Sequence, residues 1–191
     1  MKQMMNIQCR ILGVTGRKMA IPSSFLISFL FLQTSLFAQI QLNTITKQIH
    51  STDSLNDIAI HQDVNFNVTP QKLYGTLLSS KEFSDCIKLS FPDFTEKSAT
   101  IDSIPGGLFS LFDGHIIGRF LELVPYKRIV EAWRVVDWPP GVYSIATFEF
   151  KPLGSGTHLE FDHIGFPKGL KEHLSIGWQQ HFWDALGKYF K

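Results

Sequence analysis

The hydrophobic positions of the chain change their period along its length, and each period predicts a different kind of element. In residues 57–68, apolar and polar side chains alternate with a period of two residues, which is typical of a half-buried strand. Residues 69–80 place leucines and a tyrosine at three-to-four spacing, with Thr69 as a natural N-cap and Pro70 as a natural first helical residue. The pattern therefore predicts a short amphipathic helix there, and a second short helix over residues 81–91.

From residue 99 onward the pattern predicts about six short strands separated by turns. The turn residues are PGG at 105–107, DGH at 113–115, VPYK at 124–127, WPPG at 138–141 and GSG at 154–156. Asp113-Gly114 is the strongest hairpin signal, because a type I′ turn needs positive φ at both central residues. Short turns between successive strands predict an antiparallel meander whose strands pair in chain order.

Residues 170–191 predict one long helix with an apolar stripe. The stripe consists of Leu174, Trp178, Phe182, Ala185 and Tyr189. A single curved sheet has one apolar face to cover, and this helix is the one predicted element long enough to cover it. The fold class predicted is α+β: a curved antiparallel sheet wrapped on a long C-terminal helix, with two short helices after the first strand.

The first 38 residues have the layout of a secretory signal peptide. Basic residues precede an apolar run over residues 21–38, and polarity rises directly after Ala38. We expect cleavage near Ala38 and export to the periplasm or the medium, with residues 39–56 as a polar linker and residues 57–191 as the folded domain. Two alternatives stay open. Residues 21–38 are long enough to remain as a membrane anchor, and a misassigned start codon would leave the protein in the cytoplasm.

Composition excludes several classes of partner and site. The 191 residues are 44% hydrophobic and carry a formal net charge of +1 without a basic cluster, which argues against nucleic acid as a partner. Contact with a membrane is expected only if the N-terminal segment stays uncleaved. The two cysteines are Cys9, in the segment expected to be removed, and Cys86, so no disulfide is expected and Cys86 is interpreted as a small buried hydrophobe.

The segment HLEFDH, residues 158–163, is the local cluster that invites a site hypothesis. On a strand, His158, Glu160 and Asp162 share one face while His163 points the other way. An open row along one strand does not close around an ion, so we predict a solvated polar face and no metal site. No nucleophile elbow and no phosphate-binding loop is found either, so no catalytic residues and no cofactor are predicted.

The stretch IVEAWRVVDWPPG, residues 129–141, carries two tryptophans with two open interpretations. In one, Trp133 fills the core and Trp138 covers the open end of the sheet. In the other, Trp133 lines an apolar pocket under the last helix. The partners proposed for that pocket are Phe148, Phe150, Phe161, Trp178 and Phe182. Strand alternation does not decide between them, because the opposite face is nearly as apolar. Arg134 lies on that opposite face.

We expect Arg134 to pair with a carboxylate on a neighbouring strand, either Glu149 or Glu160.

The order of elements and the motifs together resemble a known family. GGLFSLFDGHIIGRFLELVPYKRIVEAWRVVDWPPGVYSIATFEF, followed by GTHLEFDHIGFP and GWQQHFWDAL, is similar to the domain shared by the C-terminal half of activators of the Hsp90 ATPase and their bacterial homologues. The resemblance covers about Ile58 to Tyr189. It implies the helix-grip (START/Bet v1-like) fold of the superfamily that also holds START domains, polyketide cyclases and plant pathogenesis-related proteins.

Three functions are open on these grounds. The leading hypothesis is a non-enzymatic, exported domain that binds an apolar small molecule in its cavity or a protein partner on its surface. The resemblance implies a second, a co-chaperone-like adaptor that stimulates an Hsp90-type ATPase. The N-terminal domain that contributes much of the chaperone binding in eukaryotic activators has no counterpart in this sequence. A third, a cyclase-like or hydrolase-like enzyme, would require His163 or Asp162 to point into the cavity.

Overall fold

The computed structural model describes residues 57–91 and 99–191, together with three single positions, 39, 41 and 43, which are helical and exposed. The chain divides into two units, Met1–Gln48 and Ile49–Lys191, and the fold below is that of the second. The predicted signal segment and nearly all of the predicted linker lie outside the described residues. Within the described part, no helix combines the length and the apolar character needed to cross a bilayer.

Seven antiparallel strands form one curved sheet, as predicted. The strands are β1 (Ala59–Phe66), β2 (Ala99–Ile101), β3 (Leu108–Leu111), β4 (Ile116–Val124), β5 (Arg128–Val135), β6 (Ser144–Leu153) and β7 (Gly156–Ile164). Their order is β1-β7-β6-β5-β4-β3-β2, so the predicted pairing in chain order holds from β2 to β7, and β1 pairs with β7. The register shifts between Phe120 and Glu122, a bulge that bends β4.

The hairpin between β3 and β4 has the predicted turn. The φ angles of Asp113 and Gly114 are 54° and 93°, and His115 N donates to Phe112 O across 3.1 Å, which together define a type I′ turn. Phe112 also has a positive φ of 52°. The pairing between β3 and β4 therefore ends at Leu111 and Ile116. The local Asp-Gly signal was therefore sufficient to place this hairpin.

Two short helices follow β1, and the cap of the first is the one that the sequence predicts. The helices are α1 (Pro70–Leu77) and α2 (Ser80–Ser90). The side chain of Thr69 accepts the backbone N–H of Lys72, and Ser79 caps α2 through the N–H of Glu82. Cys86 on α2 is buried, as expected.

The C-terminal helix runs over the sheet in three continuous parts: α3 (Lys171–Gly177), a π-helical segment (Trp178–Trp183) and α4 (Asp184–Tyr189). The predicted stripe is buried from Leu174 to Ala185. The wider π turn adds Trp183 and Leu186 to the buried face, which a uniform 3.6-residue period did not predict. The helix therefore covers the sheet as expected, with a broader apolar surface than the sequence period indicated.

The sheet has an apolar inner face toward this helix and a polar outer face. Along β6 and β7 buried inward positions alternate with more exposed ones, whereas on β5 the outward Val130 is buried beside the inward Ile129. Gly118 on β4 is required on the inner face, because an added Cβ would lie 2.1 Å from the ring of Phe109 and 2.4 Å from Ala132 O. The absence of a side chain there lets the Phe109 ring lie across the strand.

Candidate functional site

A cavity of about 430 Å³ lies between the sheet and the C-terminal helix. It is lined by Phe112, His115, Ile116, Trp133, Val135, His173, Leu174, Ile176, Gly177, Trp178, Gln180, His181 and Phe182. Most of the apolar members are buried, whereas the three histidines and Gln180 are exposed. The cavity thus has an apolar floor and a polar mouth, a construction typical of small-molecule sites.

The six predicted pocket residues divide into two groups of three. Trp133, Trp178 and Phe182 line the cavity. The other three, Phe148, Phe150 and Phe161, are buried but do not line it. Phe161 packs against Trp178 with a ring-centroid distance of 4.3 Å and Phe148 does so at 5.9 Å, while Phe150 packs against Tyr74 of α1 at 5.6 Å.

The sequence analysis did not identify several of the residues that line the cavity. Phe112 and Ile116 flank the β3–β4 turn, and Val135 shares the inner face of β5 with Trp133. The two-residue alternation from Trp133 would have placed Val135 correctly, but no local signal indicates that the hairpin end contributes to the cavity.

Trp133 faces inward, so it fills core and lines the cavity at the same time. It is 2% exposed, and its ring lies 5.5 Å from that of Trp138 and 5.6 Å from that of Trp178. Its indole N–H is buried and has no acceptor among the described residues. An unpaired buried donor costs about 1–3 kcal/mol.

Two tryptophans of the C-terminal helix donate hydrogen bonds to the sheet. Trp178 Nε1 donates to Nδ1 of His163 across 2.9 Å, and Trp183 Nε1 donates to Oε1 of Gln62 across 2.7 Å. The amide nitrogen of Gln62 in turn donates to the backbone oxygen and to the hydroxyl of Ser175, both at 3.1 Å. The helix is therefore held to β1 and β7 by directional bonds in addition to apolar packing.

The hydrogen bonds of His163 fix its tautomer. Nδ1 accepts the N–H of Trp178, so the neutral ring carries its proton on Nε2, which donates to Oγ of Ser144 across 2.6 Å. Ser144 then donates to the carbonyl of Trp133 across 3.0 Å. Burial lowers the pKa of His163 to about 3, so the ring stays neutral near pH 7. In this arrangement His163 does not accept the Ser144 proton, which is what a general base would have to do.

The inner face also carries a carboxyl group, Glu131 on β5. It lies between Ile129 and Trp133 on the strand, and its cross-strand neighbours are Phe120 and Ala146. Although the residue keeps some exposure, burial raises its pKa to about 8, and no hydrogen bond or ion pair within the described residues compensates it. Glu131 is therefore mostly a neutral acid at pH 7. The sequence period places it with Trp133, but we did not predict it as a feature of the site.

The mouth of the cavity has a concentration of imidazoles. The pKa of His181 is lowered mainly by burial of its imidazole. The neighbouring His173 and His115 lower it further. His181 therefore stays neutral further into the acidic range than an isolated histidine would.

The predicted ion pair of Arg134 is wrong. Arg134 donates to the backbone oxygens of Val135, Val136 and Trp138, the last at 2.5 Å. The reason is local: the turn after β5 brings three carbonyls within reach of the guanidinium. The two candidate partners, Glu149 and Glu160, pair with Arg128 and Lys151 instead.

The HLEFDH segment on β7 has the predicted facing. His163 is buried on the inner face, while Asp162 is exposed on the outer face and hydrogen-bonds to His61 of β1 across 2.8 Å. The hydrogen bond with Asp162 is the main reason why the pKa of His61 is raised. Neither His163 nor Asp162 lines the cavity.

Comparisons with known proteins agree with one another. Residues 67–191 match the family model described as Activator of Hsp90 ATPase homolog 1-like protein. Activator of 90 kDa heat shock protein ATPase homolog 2 of Mus musculus is 31% identical over 131 residues, which are 68% of this chain and 37% of that protein. Homolog 1 of Homo sapiens is 30% identical over 125 residues, 65% of this chain and 35% of that protein.

The chain therefore spans little more than a third of the length of these curated relatives. Among solved structures, an HSP90 activator from Plasmodium falciparum is similar with a TM-score of 0.58 and 28% identity, over 65% of this chain and 90% of that one.

Proposed function

The chain belongs to the family of Activator of Hsp90 ATPase homolog 1-like proteins, and from that premise we propose that it is a non-enzymatic binding domain whose cavity takes an apolar small molecule. The observation that carries the proposal is the cavity of about 430 Å³ with a buried apolar floor. Its volume lies within the range of ligand pockets, roughly 300–1,000 Å³.

The unpaired indole N–H of Trp133 specifies the ligand further. Because the rest of the floor is apolar, one hydrogen-bond acceptor on an otherwise lipophilic molecule satisfies this donor. A fatty acid or an isoprenoid ketone has this chemistry.

The positions of the two groups that the enzyme hypothesis requires, His163 and Asp162, support a non-enzymatic role. His163 uses both ring nitrogens in structural hydrogen bonds, and Asp162 lies on the other face of the sheet. A reacting atom in the cavity would have neither group within hydrogen-bonding reach.

The experiment titrates N-phenyl-1-naphthylamine, a neutral apolar fluorophore, into the purified chain. Gly177 lines the cavity, and a Cβ there meets nothing closer than His181 Cδ2 at 3.8 Å, so Gly177→Leu is the variant chosen to occupy the space. Gly187→Leu is the matched control on the same helix, outside the cavity. We expect wild type and Gly187→Leu to bind and Gly177→Leu to lose affinity at least about tenfold. Equal binding by all three would contradict the proposal.

A second candidate function is favoured by the relatives. Their names describe activators of the heat shock protein ATPase, so this chain is also a candidate adaptor for an Hsp90-type chaperone. The test measures ATP turnover of the Hsp90-type chaperone from the same organism with and without this chain. Increased turnover supports the adaptor, and unchanged turnover at a large molar excess removes it. Gly177→Leu separates the two functions, because it blocks the cavity and leaves the outer surface intact.

Export after cleavage near Ala38 belongs to the same proposal, since it decides which partners the domain meets. The N-terminal mass of the mature protein and the cell fraction that contains it test this point. A chain that begins at Gln39 outside the cytoplasm supports export. An intact Met1 in the cytosol contradicts it and favours the adaptor.

A further inference from the structure

The outer face of the sheet brings together metal-ligating side chains that are far apart in sequence. β1 and β7 pair so that Asp63 lies directly opposite Glu160 and Asn65 directly opposite His158. The side chains of β7 alone form an open row, which does not close around an ion. The neighbouring strand supplies the missing side, and we propose that Asp63, His158 and Glu160 bind a zinc ion on this face.

The spacing of the three ligand atoms suits a metal ion. Nε2 of His158 lies 3.4 Å from Oδ1 of Asp63 and 3.7 Å from Oε1 of Glu160, and all three atoms lie within 4.8 Å of one another. A tetrahedral zinc ion with bonds of about 2.0–2.2 Å separates its ligand atoms by roughly 3.3–3.6 Å. Two of the three separations are therefore already close to those of a loaded site.

The hydrogen bond on the other side of His158 orients its lone pair. Nδ1 lies 2.8 Å from Oδ1 of Asn65, an acceptor, so Nδ1 carries the proton and Nε2 presents a lone pair to the two carboxylates. Metal-binding histidines are held in this way, by an acceptor on the ring nitrogen that does not bind the metal. Nε2 of His158 and the two carboxylates therefore offer three electron-pair donors on one side of the sheet.

A second histidine is prepared in the same manner beside this set. Nδ1 of His61 bonds to Asp162, and its Nε2 lies 3.4 Å from the other carboxylate oxygen of Asp63. His61 is therefore a further imidazole beside the three proposed ligands, and we assign the fourth position to water.

The resident competitor for the site is Lys151. Its ammonium group contacts the Glu160 carboxylate from β6, so zinc binding has to displace or share this ion pair. Imidazole with carboxylates favours zinc, copper and nickel over magnesium and calcium, which prefer oxygen-only sites. The site is distinct from the cavity, because it lies on the opposite face of the sheet.

The test is calorimetric titration of zinc chloride into the full chain, in a buffer that does not coordinate metals. We expect one zinc ion per chain, a loss of affinity of at least about tenfold for His158→Ala, and no competition from magnesium. His173→Ala is the matched control, an exposed histidine on the opposite face. Lys151→Met should bind zinc more tightly, because it removes the competing cation, and a misfolded variant could not produce that gain.

The proposal would be overturned by no binding at millimolar zinc, by binding that survives His158→Ala unchanged, or by binding that is lost with His173→Ala, which would place the ion at the cavity mouth. Weaker binding by Lys151→Met would also contradict it.

Discussion

Trp178 on the C-terminal helix donates its indole N–H to Nδ1 of His163 on β7 across 2.9 Å, with both side chains buried. Together with the bond from Trp183 to Gln62, this bond restricts the rotation of the helix relative to the sheet. It also forces the tautomer through which His163 donates to Ser144. A histidine that looks like an acid–base group in the sequence is therefore part of the structural attachment of the helix.

Trp178→Phe and Trp133→Phe make the same chemical change with different expected costs. The first leaves Nδ1 of buried His163 without a donor, whereas the second removes an N–H that has no acceptor among the described residues. We expect Trp178→Phe to lower the free energy of unfolding by about 1–3 kcal/mol more than Trp133→Phe does. Urea denaturation of the two variants measures the difference. Equal costs would mean that the 2.9 Å bond does not stabilise the fold.

His163 should make the protein less stable in acid. Its folded pKa of about 3 lies below the ordinary 6.5, so between those values the unfolded chain binds more protons. Its stabilising effect is complete above about pH 6.5 and falls as the pH drops, by up to about 1.4 kcal/mol per pH unit.

The measurement is the free energy of unfolding of wild type and His163→Gln from pH 7 to pH 4. Other acid-sensitive groups are common to both proteins, so the difference between the two curves isolates His163. Parallel curves would show that the imidazole is protonated without cost.

Glu131 should have the opposite pH dependence. Its folded pKa of about 8 lies above the ordinary 4.5, so the folded chain binds more protons between these values and stability falls as the pH rises. Glu131→Gln, which stays neutral, should match wild type near pH 4.5. It should become more stable than wild type by up to about 1.4 kcal/mol per pH unit toward pH 8. Thermal unfolding at pH 5 and pH 8 tests this, and an advantage of the variant that is equal at both values would rule the pKa out as its cause.

The sequence predicted the features that depend on short-range signals. Thr69 before Pro70 placed the first helix, and Asp113-Gly114 placed the hairpin, because each signal acts within four residues. Trp183 was missed as a buried residue because a π turn is chosen by the packing of the helix on the sheet and has no fixed sequence period.

The candidate site was less predictable than the fold, because depth and cross-strand pairing are not local properties. The sequence analysis proposed Phe148 and Phe161 for the pocket, and both are buried, but the pattern could not tell packed core from cavity wall. The meeting of Asp63 with Glu160 depends on the register between the first and last strands, across about half the chain.

Cys86 should resist alkylation in the native protein. It is 1% exposed on α2, and burial raises the pKa of its thiol to about 12, so almost no thiolate is present at pH 8. We expect iodoacetamide to modify Cys86 in urea but not in buffer, as followed by peptide mass mapping that separates it from Cys9. Rapid labelling in buffer would show that α2 opens away from the sheet.

Two glycine-to-alanine changes should shift stability in opposite directions. In Gly118→Ala the new methyl group would lie 2.1 Å from the Phe109 ring and 2.4 Å from the backbone oxygen of Ala132. The ring can rotate, but the strand cannot yield without loosening the β4–β5 pair, so we expect a loss of about 1–3 kcal/mol.

Gly187→Ala adds a methyl group in α4, where nothing lies within 4 Å, so the gain in helix propensity should raise stability by about 0.5–1 kcal/mol. Chemical denaturation of both variants beside wild type gives the two signs in one experiment. If Gly118→Ala proved neutral, the Phe109 ring would not lie across β4 as described. A destabilised Gly187→Ala would mean that the C-terminal helix packs more tightly at its end than the open space around Gly187 indicates.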